Sequence, residues 1–304
     1  MAGPLVMPKN PYHVRSASMP SRSHPLFLRV EDRLQKLQTW GSSSPSTHPT
    51  TEMLCDGLGG LRDLHDSIED LLQSPLTQQT LVRNWHGTWV NGMLNGSLRI
   101  LDLCETSRDV FMLMKENAQD HLSALRRRRV GDSGLHNQVL DYISLRRKMK
   151  KKIHKCLKEL ERAECKFVFL PLSDKDQQLS VIIGVLREVR SVTISIFESF
   201  SSFISLSRPT TKAIGLSLIS KWMVGTGRGA CEVAIEKMSE VGQVDVHLCS
   251  LYGNKSCKDD ESVENMQKGL KAMDVSLQSL VDRLECTFRH LIRTRVSLLN
   301  ILNH

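Results

Sequence analysis

Apolar residues recur at three- and four-residue steps along most of the chain after residue 50, which is the spacing of one buried face of an α-helix. The first such run predicts a helix over residues 51–72. Ser74 and Pro75 follow it, and they predict a break between two helices because Ser is a good N-cap and Pro is tolerated in the first turn. The pattern therefore predicts helices joined by short turns.

A second run of apolar residues continues from Pro75 to about Arg129. Its first half contains Gly87, Gly92 and Gly96, each of which weakens a helix by roughly 1 kcal/mol relative to Ala. We therefore expect these glycines to mark a bend or a close contact between helices.

The strongest patterns are two heptad seams, in which steps of three and four alternate. The first seam comprises Leu179, Ile182, Leu186, Val189, Thr193, Ile196, Phe200 and Phe203. The second comprises Val263, Met266, Leu270, Met273, Leu277, Leu280, Leu284, Thr287, Leu291, Thr294, Leu298 and Ile301. The second seam predicts a helix of about forty residues and roughly 60 Å, which needs neighbours along its length.

The segment SLRRKMKKKIHKCLKEL, residues 144–160, combines a helical apolar stripe with many cations. The stripe comprises Tyr142, Leu145, Met149, Ile153, Cys156 and Leu160. Lys and Arg occupy the other sides, so the pattern predicts a helix with one buried and one cationic face. Shorter helices are expected at 28–40 and about 231–251.

The predicted fold is all-α: an elongated multi-helix bundle with coiled-coil-like heptad seams, preceded by a disordered N-terminal tail. Residues 1–50 are rich in Ser, Pro and Arg, and this composition assigns them to the tail. Residues 51–304 form the helical domain, with a candidate subdivision near 166–175, where Pro171 interrupts the pattern.

The composition favours an intracellular protein with a helical core. Aromatic residues are only 5% of the chain, and the 8 cysteines form no CxxC pair, so reduced thiols are expected. The sequence shows no secretory signal and no membrane span, because charges interrupt its most apolar stretch. A cytoplasmic location is expected, while the acid-poor N-terminal tail and the basic clusters leave plastid targeting and nuclear entry open.

The positive charge is regional. Residues 124–158 hold twelve Lys and Arg against two Asp, an excess larger than the net charge of +8 of the whole chain. The candidate basic surface comprises Arg126, Arg127, Arg128, Arg129, Arg146, Arg147, Lys148, Lys150, Lys151 and Lys152. Three roles stay open: a solvated helix face, a surface for an acidic partner or anionic membrane, and a nucleic-acid site. Base-stacking aromatics are absent apart from Tyr142, which argues against nucleic acid.

A second candidate site lies in the tail. Arg15 precedes Ser18 by three residues and Pro20 follows it by two. Phosphorylated Ser18 would suit the Arg clusters of 14-3-3-type readers, so these residues form a candidate phospho-docking motif.

No motif nominates a catalytic, cofactor-binding or metal-binding residue. GTGRGA at 225–230 lacks the Lys and Ser/Thr of a phosphate loop, and the histidines form no zinc-binding pair. The expectation is a protein that is not an enzyme and carries no cofactor. Protein partners are expected, and their identity stays open.

Several long segments resemble the plant Bypass (BPS) family, and they occur in the same order. They are CDGLGGLRDLHDSIEDLL (55–72), LNGSLRILDLCETSRDVFMLMKE (94–116), SLRRKMKKKI (144–153), VLREVRSVTISIFESF (185–200) and FRHLIRTRVSLLNIL (288–302). The resemblance implies a helical plant protein linked to root and shoot development, acting on a mobile root-derived signal in the founding case. It implies no enzymatic activity, cofactor or catalytic residue.

Three functions remain open at this point. The first is a non-enzymatic regulatory or scaffold protein in plant developmental signalling. The second is a peripheral membrane or trafficking adaptor that binds anionic lipid or acidic partners through the basic helix. The third is an enzyme of a pathway that makes or removes a signal metabolite.

Overall fold

The computed structural model describes residues 24–42, 49–84, 87–127, 134–168, 177–205, 238–253 and 260–303. Its secondary structure is helical throughout these ranges. The helices are α1 (Pro25–Ser42), α2 (Thr51–Leu72), α3 (Pro75–Arg83), α4 (Thr88–Arg127), α5 (Gly134–Val168), α6 (Gln177–Ile204), α7 (Glu240–Gly253) and α8 (Asp260–Asn303). The all-α prediction is confirmed.

The two heptad seams form buried faces of long helices. Every member of the first seam is buried in α6, and every member of the second is buried in α8 except the half-buried Val263. Helix α8 has 44 residues, so it extends about 65 Å at 1.5 Å per residue. This length makes the bundle elongated, as the pattern predicted.

Helix α8 packs against several other helices of the bundle. It runs antiparallel to α4, since Cys104 Sγ donates to the Leu284 carbonyl while Gln119, further along α4, donates to the earlier residue Asp274. It runs parallel to α2 on another side and also contacts α3 and α7. The apolar faces of α2 and α4 are thereby covered by the same helix.

Helices α5 and α6 complete the bundle. Helix α5 runs antiparallel to α4, because Arg99 lies 3.9 Å from Glu159 while Lys152 lies 3.9 Å from Asp109. Helix α6 packs on α4 through aromatic rings: Phe111 makes edge-to-face contacts with Phe200 and Phe203 at 5.5 and 6.0 Å. Both helices contribute to one hydrophobic core, on either side of the expected subdivision near 166–175.

Helix α1 lies in the segment that composition assigns to the tail. Its position agrees with the predicted helix at 28–40, but it packs into the core instead of lying outside the folded domain. Phe27, Val30, Leu34 and Leu37 are buried between α2 and α6. The amphipathic spacing of these four residues outweighs the Ser- and Pro-rich composition around them.

The turn after α2 follows the prediction. The Ser74 hydroxyl accepts a hydrogen bond from the Thr77 N–H, and Pro75 opens α3. The predicted run to about Arg129 is divided, because α3 ends at Arg83 and α4 begins at Thr88. Gly87 lies at this break and its N–H donates to the Asn84 carbonyl, so the expected bend is confirmed there.

Gly96 confirms the expected close contact between helices. The Arg190 guanidinium from α6 lies against the backbone of α4 and donates to the Gly92 carbonyl at 3.3 Å. A Cβ at Gly96 would overlap this guanidinium. The missing side chain therefore makes room for a buried cation at the α4–α6 contact.

Candidate functional site

The outward side of α5 is a cationic face, which we define as Arg147, Lys148, Lys150, Lys151 and Lys152. All five side chains are exposed. The opposite side of the helix is buried through Met149, Ile153 and Leu160, so the helix is anchored to the bundle while its cations point to solvent. The sequence predicted this division.

The cationic face is largely uncompensated. Lys152 Nζ lies 3.9 Å from Asp109 on α4, a long contact between two exposed groups. Within the described ranges, no carboxylate lies within 4.0 Å of the other four cations. Exposed ion pairs contribute little stability, so this concentration of charge is not explained by folding alone.

Arg146 was predicted to belong to this surface, and that prediction is wrong. Its side chain is 1% exposed and lies on the buried side of α5. It forms an ion pair with Asp245 of α7 and donates to the carbonyls of Ile204 at 2.8 Å and Ser205 at 3.1 Å. Arg146 therefore connects α5 with the end of α6 and with α7.

Tyr142 and His121 complete the polar cluster around Arg146. Arg146 donates to the Tyr142 hydroxyl at 3.4 Å, and His121 makes an edge-to-face contact with the Tyr142 ring at 5.7 Å. Burial raises the pKa of Tyr142 and lowers that of His121, so both are neutral near pH 7. The cluster holds helices together rather than presenting a reactive group.

Arg146 itself stays charged. Burial alone would lower its pKa, but the nearby Tyr142 and Asp245 oxygens outweigh that effect and raise it. A buried guanidinium is tolerated here because a carboxylate, a hydroxyl and two carbonyls accept its hydrogen bonds.

The remaining predicted basic residues divide into two groups. Arg126 and Arg127 are exposed in the last turn of α4, where positive charge complements the carboxyl end of the helix dipole. Arg128 and Arg129 lie outside the described residues, as do Arg15, Ser18 and Pro20 of the phospho-docking motif.

Sequence pattern did not indicate the polar network that connects α2 and α8. Asp66 forms an ion pair with Arg293, and the Nδ1 atom of His290 lies 3.0 Å from the same carboxylate. The adjacent His65 is buried against the Thr294 hydroxyl at 3.2 Å, and burial lowers its pKa to about 4. The partners are more than two hundred residues apart in sequence, so local pattern could not reveal them.

A protein-family model described as Protein BPS1 matches residues 57–301, well over half of the chain. The chain belongs to the BPS1 family. The resemblance to the Bypass family is therefore confirmed. No curated protein and no solved structure matched the chain.

The match to the BPS1 family spans most of α2 and runs into the last turn of α8. It includes the cationic face and the Arg146 cluster. Helix α1 lies before the matched residues, yet it packs on α2 within the same core. The folded unit of this BPS1-family chain thus begins before the family match does.

Among the helices of the described residues, none has an apolar stretch of the length that a membrane span requires. Within the same ranges, no group of three or more His, Cys, Asp or Glu side chains is arranged to hold a metal ion.

Proposed function

We propose that this BPS1-family protein is a non-enzymatic helical scaffold in plant root and shoot development, where it takes part in control of a mobile root-derived signal. Its cationic face binds an acidic segment of a protein partner. The observation that carries the proposal is the exposure of five neighbouring cations on a helix whose other side is fixed in the core.

Charge and rigidity support a binding role for this face. Complementary charge increases the rate and the specificity of association, and a pre-ordered surface loses little entropy on binding. Between residues 141 and 162, the part of α5 whose side-chain exposure is described, no large apolar side chain is exposed, so the cationic face there has no apolar anchor to insert into a bilayer. This favours an acidic protein over a membrane surface.

The polar groups of the interior support a non-enzymatic role. Arg146, Tyr142 and Asp245 converge, but Arg146 donates to the other two and joins three helices. Catalytic groups need access to a substrate, whereas the Arg146 side chain is 1% exposed.

The test is affinity purification of the tagged full chain from root tissue. A variant with Gln at Arg147, Lys148, Lys150, Lys151 and Lys152 keeps the buried Arg146, so it retains the fold. A matched control carries Gln at five exposed cations elsewhere: Lys36, Arg83, Lys268, Lys271 and Arg289. We expect the first variant to lose at least ten-fold of the captured acidic partner, and the control to retain it.

Vesicle sedimentation distinguishes the proposed acidic protein partner from the alternative of a membrane adaptor. We expect no difference between binding to neutral and to anionic phospholipid vesicles at low salt. Charge-dependent vesicle binding that is abolished by the first variant would favour the membrane adaptor. An unchanged set of captured proteins in that variant would contradict the proposed role of the face.

A further inference from the structure

A groove lies between α1 and α6, and none of the residues that line it belongs to the cationic face. Its volume is about 420 Å³, within the range of small-molecule sites. The floor is apolar and is formed by the buried residues Leu37, Val192 and Ile196. The groove is therefore large enough for a small organic group and offers it an apolar surface.

One wall of the groove is polar and comes from α6. Glu188, Ser191 and Ser195 line it, and their spacing of three and four residues places them on one side of the helix. All three side chains are exposed. This wall presents a carboxylate and two hydroxyls, all of which accept hydrogen bonds.

The opposite wall includes the aromatic ring of Trp40 from α1. Gly57 of α2 makes room for this ring, since a Cβ at position 57 would lie 2.8 Å from it. The indole is consequently packed in place before any ligand arrives. Gln38 and Gly41 of α1 line the same side.

The charge of Glu188 is not neutralised by the described part of the protein. Within those ranges no Lys, Arg or His nitrogen lies within 4.0 Å of its carboxylate. Arg190, two residues later, points to α4 and donates to the Gly92 carbonyl. An unpaired carboxylate beside an aromatic ring and an apolar floor is the combination that recognises organic cations.

We propose that this groove binds an organic ammonium ion, either a free amine or the side chain of a lysine in a partner. The ammonium group lies between the Trp40 ring and the Glu188 carboxylate. Its alkyl part packs on Leu37, Val192 and Ile196. The Ser191 and Ser195 hydroxyls accept hydrogen bonds from N–H groups when the ion carries them.

The probes are choline, butylammonium and 3,3-dimethylbutan-1-ol, which has the shape of choline without its charge. Binding to the full chain is followed through the indole N–H resonance of Trp40 in nitrogen-15 correlation spectra, assigned with the Trp40→Phe variant. We expect both cations to shift this resonance and the neutral alcohol to bind at least ten-fold more weakly. Equal binding of the alcohol would overturn the proposal.

Variants test the same site. Glu188→Gln is expected to weaken cation binding at least ten-fold. Glu198→Gln makes the same charge change on α6 outside the groove and is expected to leave binding unchanged. Unaltered affinity in Glu188→Gln would also overturn the proposal. Tighter binding of butylammonium than of choline would identify a lysine side chain as the source, and the reverse would identify a free quaternary amine.

Discussion

Single residues decide how closely the helices of this bundle approach each other. Gly96 allows the Arg190 guanidinium to lie on the backbone of α4. Gly60 similarly makes room for Leu37, whose Cδ2 would lie 2.6 Å from an added Cβ. Glycine at these positions gives up helix propensity in exchange for close packing.

The Gly96→Ala variant is expected to lose roughly 2 kcal/mol of unfolding free energy, because Arg190 must leave its carbonyl acceptor while it remains buried. Urea denaturation measures this loss. Gly184→Ala is the matched control, since no atom lies within 4 Å of the added Cβ there. That control is expected to be neutral or stabilised by up to about 1 kcal/mol. Equal effects in the two variants would contradict the packing argument.

His65 makes the stability of the fold depend on pH. Burial, followed by the nearby charge of His290, lowers its pKa from 6.5 to about 4 in the folded chain. As the pH falls below 6.5, the unfolded chain binds the proton first and is stabilised. The stabilisation of the folded state by neutral His65 is therefore fully present above pH 6.5. It is lost as the pH falls towards 4, which lowers the unfolding free energy by about 3 kcal/mol in total.

His65→Gln is expected to reduce the fall in unfolding free energy between pH 7 and pH 4.5, because Gln cannot take up a proton and can still bond to the Thr294 hydroxyl. Urea denaturation at several pH values measures the difference. A slope equal to that of the wild type would show that other groups dominate the acid response.

At the scale of elements, sequence pattern was sufficient to predict where the helices lie and which of their faces are buried. In α2, the residues at three- and four-residue steps from Leu54 to Leu71 are all buried. The pattern predicted the wrong buried residue where contacts with another helix determine which side chains are buried. In α4, Leu98 belongs to the apolar run that continues from Pro75, but its side chain is 46% exposed. In α5, Leu157 is buried where the half-buried Cys156 was expected. The packing of neighbouring helices determines how each helix is rotated about its axis, and therefore which of its side chains are buried.

Helix α1 is expected to be an integral element of the core. Leu34→Asp, at a buried position, should cost at least about 3 kcal/mol and remove hydrogen-exchange protection from residues 25–42. Leu28→Asp is the matched control on the same helix, where the side chain is 52% exposed. The control should change stability by less than about 0.5 kcal/mol. Equal stability of the two variants would indicate that α1 belongs to the tail and not to the core.

At the scale of the whole molecule, the Arg146–Asp245 pair joins parts of the chain that are 99 residues apart. Sequence alone placed Arg146 on the surface because a cation in a Lys-rich run is usually solvated. Its burial depends on Asp245 and on the carbonyls at the end of α6, none of which is visible in local pattern. The five neighbouring cations, which need no such partner, were placed correctly.

Asp245→Ala is expected to lower the unfolding free energy by about 3–5 kcal/mol, because it leaves Arg146 buried without its counter-charge. The double variant Arg146→Met with Asp245→Ala should be less destabilised than the sum of the single variants. Urea denaturation of the four proteins gives the coupling energy. The exposed Lys152–Asp109 pair is the control, with an expected coupling below about 1 kcal/mol. Additive effects at Arg146 and Asp245 would exclude the buried pair as a stabilising connection.

The place of α8 in the bundle also affects how the chain folds during synthesis. Helices α2 and α4 leave the ribosome long before α8, which covers their apolar faces. At typical translation rates the interval between Leu72 and Asp260 is roughly ten to forty seconds. The nascent chain must pass through that interval with part of its core open to water. We therefore expect it to bind a chaperone on the ribosome until α8 has emerged.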